Sequence, residues 1–381
     1  MKKFIAIILT ATIFLNVVSC GWQRAEKVMS EEPVYGLVRL TPDPTIAPTA
    51  APTPSPVPTE NLAGKAINPL TGLYIGEEKA KMRPMAVVIN NIKRALPQSG
   101  ISQADILYEI LSEGDITRII AIFQDFDSNK IGPVRSTRHY FLNFAFDNDA
   151  IFVHHGGSQL GYDAMRSSSI DNLDGMALDG RAFQRDQTRI NQPGMFEHSS
   201  YTGYEMLSKV VDDFGLRKTR EAGETTMFKF FDKPTSPEES EKATKVTVPF
   251  SNAYTSIFEY DEETSLYSKF QNENKHIDEE TGEQLKFANV IIQFTSMHVI
   301  SGDDAGRREV NLVSSGSGYL ATNGVYTPIR WEKKSLKSPT AWYFEDGQPL
   351  HLNKGKTWVG VYNGNVKFEP EQEIEEEQQD Q

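Results

Sequence analysis

The chain has 381 residues, a formal net charge of −13 at pH 7 and one cysteine, Cys20. Such an acidic balance argues against nonspecific binding to nucleic acid or anionic lipid, and no nucleic-acid partner is expected. A single thiol excludes an intrachain disulfide and a multi-cysteine zinc site.

Residues 1–20 read as an export signal. Lys2 and Lys3 precede an apolar run that ends in Val17-Val18-Ser19-Cys20. The run falls short of the about 20 apolar residues that span a bilayer, but it suits a signal-peptide core. A small residue before a cysteine at the end of such a core resembles a bacterial lipobox. The resemblance implies cleavage before Cys20 and acylation of its sulfur, with a diacylglyceryl group and palmitate-type chains. The protein is then expected at the cell membrane, lipid-anchored and facing outside the cytoplasm. Residues 21–60 are expected to be a connector. Within it, TPDPTIAPTAAPTPSPVPTE at 41–60 holds seven prolines and cannot bury a core. Extended as polyproline II it spans roughly 60 Å, at about 3.1 Å per residue.

The folded part is expected to be α+β, with a mixed α/β domain at 61–235 and a β-rich antiparallel domain at 240–368. Short apolar runs at 84–91, 105–112, 117–124 and 150–154 predict buried strands, the second and third joined at Gly114-Asp115. Aromatic residues at 137–146 and the stripe Tyr204, Leu207, Val210, Val211 and Phe214 predict helices. A charged, proline-bearing stretch at 233–241 marks the boundary. Beyond it, β-branched and aromatic runs alternate with the turn pairs Asn323-Gly324, Asp346-Gly347 and Asn363-Gly364, which predicts an antiparallel meander. The acidic residues 369–381 are expected to stay solvated.

Two clusters could carry chemistry. In GPVRSTR at 132–138, a Gly-Pro turn feeds a Ser/Thr pair suited to cap a helix. Arg135 and Arg138 then crowd the positive end of that helix and call for an anion, from a ligand or from the protein itself. Upstream, Glu109 and Glu113 lie four apart and share a face on either a strand or a helix, with Arg118 on the next strand. They read either as a structural ion-pair network or as acid/base carboxylates beside an anion clamp. His154 and His155 adjoin on a strand and point to opposite faces, so at most one serves a site. Arg185 and His198 lie in a polar loop. No HExxH, GxSxG or GxxxxGK[ST] occurs. No cofactor is expected, and whether a metal binds is left open.

RPMAVVINN, LPQSGISQADILYEILSEGDITRIIAIF, IGPVRSTRHYF and FVHHGGS resemble the YerB-like bacterial lipoproteins, a family defined by a domain of unknown function. That resemblance covers most of 61–215, and GKTWVGVY resembles the family's C-terminal domain. Positions matching its recurring motifs are Asn91, Glu109, Glu113, Arg118, Arg135, Arg138 and Arg185. Where the family reads Pro-His-Asn-Leu-Tyr, this chain reads Glu197-His198-Ser199-Ser200-Tyr201. The resemblance implies extracytoplasmic placement and supplies no activity.

Two functions are therefore expected, in this order. The first is a noncatalytic envelope protein that binds a cell-wall polymer or an envelope protein, with Trp331, Trp342 and Trp358 as an aromatic surface. The second is an envelope hydrolase or transferase for a phosphate- or carboxylate-bearing substrate. In it Arg118, Arg135 and Arg138 hold the anion, Glu109 or Glu113 acts as base or metal ligand, and His198 acts as acid.

Overall fold

Four apolar runs of the first half form strands buried at every position. These are β1 (Met85–Asn90), β2 (Ile106–Leu111), β3 (Thr117–Phe123) and β4 (Ile151–His154). Continuous burial rather than alternation is what a sheet covered on both faces requires. The computed structural model describes residues 62–221 and 227–370, all within one compact unit. The expected leader and connector, with Cys20, lie outside the described residues, as does all but the start of the acidic tail.

The aromatic run after Arg138 forms a 3-10 turn, His139–Phe141, and then α1 (Leu142–Asp147). Helix α2 (Gln159–Ser168) follows β4, and Ser158 caps it by accepting from Gly161 N at 3.1 Å. Strand β5 (Asn172–Asp174) comes next. Helix α3 (Tyr204–Asp213) buries Leu207, Val210 and Val211, worth about 1.5–3 kcal/mol each. Phe214 ends the helix and is 48% exposed, so it leaves the expected stripe. Gly215, at φ 62°, reverses the chain there, and Leu216 N donates to Val211 O.

The second half contributes β6 (Lys245–Pro249), β7 (Thr255–Asp261), β8 (Leu266–Gln271), β9 (Asn289–Phe294), β10 (Ser315–Thr322), β11 (Val325–Glu332) and β12 (Thr357–Tyr362). Asn323 and Gly324 both take positive φ in the tight β10–β11 turn, as a two-residue hairpin of this kind demands. The fold is α+β.

Both halves build one 11-stranded sheet, running β11-β10-β9-β12-β2-β3-β1-β4-β5 with short strands at its far edge. Within the meander, β12 pairs parallel with β9 and with β2, so a strand of the second half is seated inside the sheet of the first. A six-stranded sheet around β6, β7 and β8 alternates buried and half-buried residues. It packs on the large sheet, with the rings of Phe258 and Trp358 4.6 Å apart. On the opposite face Tyr108 of β2 stacks on Phe144 of α1 at 4.4 Å. Period-2 geometry therefore sends Glu109, the next residue, toward the second sheet.

Trp331, Trp342 and Trp358 are 1%, 4% and 0% exposed. They form core, not the aromatic surface expected of them. The Trp331 indole donates to Phe294 O and the Trp358 indole to Glu109.

Candidate functional site

Glu109 sits between the two sheets, fully buried. Its Oε1 accepts from Asn91 Nδ2 and Thr117 Oγ1, both at 3.0 Å. Its Oε2 accepts from Ser256 Oγ at 2.8 Å and Trp358 Nε1 at 3.1 Å, with Lys269 Nζ at 3.3 Å. Lys269 is buried as deeply, and burial pushes its ammonium below the usual lysine range. Every lone pair of the carboxylate is engaged, so Glu109 is a structural anion that ties β2 and β3 to β7, β8 and β12.

Glu113 does not share that face. Strand β2 ends at Leu111, and Glu113 lies beyond it, paired only by an isolated bridge to Arg307. Its carboxylate bridges two guanidiniums. Arg118 Nη2 donates to Oε1, and Arg138 Nη2 and Nε donate to Oε2 at 2.5 and 3.0 Å. Burial raises the Glu113 carboxyl, but Arg118, Arg138 and the Ser112 hydroxyl outweigh it and hold it below the usual carboxylate range. Arg118 is pushed down to about 9 by burial and by the neighbouring Arg138 charge.

The two arginines of GPVRSTR also part company. Helical turns begin only after Arg138, so the three-residue spacing runs through extended backbone and throws the side chains apart. The expected cap is absent. Ser136 Oγ donates to His155 O and Thr137 Oγ1 to Arg138 O. Arg138 takes Glu113, while Arg135 turns the other way.

Arg135 instead joins Arg185 in a hollow of about 420 Å³. His155, Gly156 and Gly157 beyond the carboxyl end of β4 also line it. Crevices outside the carboxyl ends of parallel strands are the usual ligand position in open α/β sheets, and β1, β4 and β5 run parallel here. Arg185 is placed by a two-residue pairing of Gln184–Arg185 with Ser200–Tyr201. Its guanidinium stacks 4.6 Å from the Phe196 ring centre and donates to Phe196 O at 3.1 Å. Arg135 Nη2 donates to Glu197 Oε2 at 2.5 Å, and that carboxylate's side chain is 67% exposed.

His155 connects the two sides. Arg185 Nη2 lies 3.0 Å from its Nε2, and its Nδ1 lies 2.7 Å from Ser200 Oγ. A guanidinium can only donate, so Nε2 accepts and Nδ1 carries the proton toward Ser200. This polarity is the reverse of a base drawing a proton from a serine. Burial first, and Arg185 second, keep the ring below its usual value and therefore neutral. His154 faces the interior, with Nδ1 2.9 Å from Gly156 O, as alternation along β4 requires.

His198 stands outside this lining. It is 6% exposed, and Asn90 Nδ2 lies 2.8 Å from its Nδ1. Asn91, the next residue of the chain, turns its side chain to Glu109. Of the expected residues the structure thus joins Arg135 with Arg185, Glu113 with Arg118 and Arg138, and Asn91 with Glu109. Sequence reasoning missed Ser200, Tyr162 and Phe196, which lack any motif of their own. Among the described residues no group of three or more His, Cys, Asp or Glu is placed to hold a metal ion.

Models for the N-terminal and C-terminal domains of a protein family of unknown function, DUF3048, match residues 70–217 and 246–359. A protein of Bacillus subtilis (strain 168), named "Putative lipoprotein YerB", is 34% identical over 300 residues, which is 78% of this chain and 87% of that one. The crystal structure of YerB from B. subtilis aligns with a TM-score of 0.69 and 33% identity, over 78% of this chain and 98% of that one.

Proposed function

The chain belongs to the DUF3048 family, and we propose that it is a lipid-anchored binding protein of the cell envelope whose arginine hollow takes an anionic group of a cell-wall polymer. The observation that carries this reading is the convergence of Arg135 and Arg185 on one hollow, beside a neutral His155. Among the described residues Glu197 is the one carboxylate in that lining, and Asp179 Oδ2 lies 3.4 Å from Arg185 Nε at its edge; with side chains 67% and 46% exposed, both can swing aside for a competing anion. A planar guanidinium held on an aromatic face, as Arg185 is on Phe196, is preorganised for bidentate contact with carboxylate or phosphate.

Three features favour binding over turnover. Glu109 and Glu113 are saturated by protein donors. His155 points its proton at Ser200. His198 is packed on Asn90. The lipobox and the name of the B. subtilis relative both support the anchor at Cys20.

The test is cosedimentation of the purified full chain, in detergent, with isolated cell-wall sacculi. The native chain is expected to be retained. Arg135→Ala/Arg185→Ala should lower retention by roughly tenfold or more, since each lost charge-assisted contact costs about 1.5–3 kcal/mol. Equal retention of native and double-variant proteins, both folded, would refute the assignment.

A further inference from the structure

A second hollow, of about 640 Å³, opens between residues 93–97 and the hairpin that β8 forms with Asn274–Lys275. Lys93, Tyr254, Gln271, Lys275 and His276 are in its lining, and among the described residues no Asp or Glu is. Lys93 and Lys275 are exposed, and neither has an ion-pair partner among the described residues. In so acidic a chain, two unpaired ammonium groups on one hollow favour an anion there.

Two buried polar atoms in this lining have no hydrogen-bond partner among the described residues: Gln271 Nε2 and His276 Nδ1. Their residues are 5% and 2% exposed. A connected set of hydrogen bonds fixes the polarity of each. Gln98 Nε2 donates to Asn90 O at 3.1 Å and to Asn91 Oδ1 at 3.0 Å. Gln98 Oε1 therefore faces His276 Nε2, at 2.7 Å, and that nitrogen carries the ring proton. Burial holds the ring neutral, far below the usual histidine value, which leaves Nδ1 as a bare acceptor. Asn91 Nδ2, oriented by the same set, shares its two hydrogens among Thr117 Oγ1, Glu109 Oε1 and, at 3.2 Å, Gln271 Oε1, so Gln271 turns its oxygen toward that donor. Gln271 Nε2 is left as a bare donor.

The residues lining the hollow thus carry one unmet donor and one unmet acceptor just beneath its surface, with two cationic groups at its rim. An unmade hydrogen bond at a buried group costs about 1–3 kcal/mol. Water at these atoms would leave the ammonium groups and the apolar wall of Leu96, Pro97 and Ile277 uncovered. We propose that this hollow binds a small ligand bearing a secondary amide beside a carboxylate, as in an N-acylated amino acid or the C-terminal residue of a peptide. The amide oxygen accepts from Gln271 Nε2 and the amide N–H donates to His276 Nδ1. Lys93 and Lys275 meet the carboxylate, and Leu96, Pro97 and Tyr254 cover the side chain. The assignment is independent of the arginine hollow.

Titration calorimetry of the full chain in detergent micelles tests it, with five probes: N-acetylalanine, N-acetylalanylalanine, N-acetylalanine amide, acetate and N-acetylglucosamine. N-acetylalanine is expected to bind saturably, and the probes that lack either half should bind roughly tenfold more weakly. Lys93→Ala/Lys275→Ala alters only exposed side chains. It should weaken N-acetylalanine about tenfold and leave N-acetylalanine amide unchanged. Gln271→Leu should weaken both probes, and a thermal melt checks that it folds. If it does not fold, the lysine variant decides. A tighter fit for N-acetylalanylalanine points to a peptide end, and an equal fit to a free acylated amino acid. Saturable binding that survives the lysine substitutions unchanged would overturn the proposal. So would the absence of saturation by N-acetylalanine, or N-acetylglucosamine binding as tightly.

Discussion

Glu109→Gln is expected to lower the unfolding free energy by about 3–5 kcal/mol, the cost of breaking a buried ion pair from one side. The side chains of Glu109 and Lys269 are 1% and 0% exposed. An amide at position 109 would leave the Lys269 ammonium facing Ser256, an aromatic core and no anion. Removing both charges tells the two costs apart. Glu109→Gln/Lys269→Met should regain most of the loss, because the desolvation cost disappears along with the pair. Urea midpoints of the three proteins measure this. Glu109 is on β2 and Lys269 on β8, so the pair clasps the two halves of the chain. The destabilised variant should still unfold in one transition. A loss under about 1 kcal/mol would mean that the pair is not the clasp described here.

Glu113→Gln should cost about 2–4 kcal/mol at pH 7 for a related reason. Glu113 is the carboxylate between Arg118 and Arg138, whose side chains are 2% and 8% exposed. Without it, two buried guanidiniums face each other. The effect has a definite pH signature. Glu113 titrates lower in the folded protein than its ordinary value of 4.5. Its contribution is therefore complete above about 4.5 and disappears as pH falls through the folded value. The stability gap between native protein and variant should be constant from pH 8 to 6 and close progressively below pH 4.5. A gap that widens in acid would reverse the assigned sign. Comparing melting temperatures across this range provides the check.

Both residues show where local pattern stops informing. Strands β1 to β4 were legible because a mostly apolar run of four to seven residues bounded by turn formers has few other fates. The β10–β11 hairpin was legible because Asn-Gly suits its positive-φ turn. Helix α2 was not, since QLGYDAMRSS buries only Gly161, Met165 and Ser168 and carries almost no apolar stripe. The seating of β12 between β9 and β2 was not legible either, because a strand's own residues do not name its neighbours. Even spacing placed Glu109 and Glu113 on one face only as long as the strand continued, and β2 stops at Leu111. Arg135 and Arg138 were paired by a helical spacing that begins too late in the chain to apply. The tryptophans were expected at a surface, yet alternation along their strands turns Trp331 and Trp342 inward. Arg185 drew notice through its polar loop and the family resemblance, and only the fold brings it beside Arg135.

The proposed envelope role requires this domain to be held at the membrane by the sulfur of Cys20. Mass spectrometry of the N-terminal peptide from the native host's membrane fraction measures that directly. A chain that begins at a diacylglyceryl-modified Cys20, and that moves to the soluble fraction on Cys20→Ala, is the predicted result. An unmodified chain that begins at Met1, recovered from the cytosol, would contradict it.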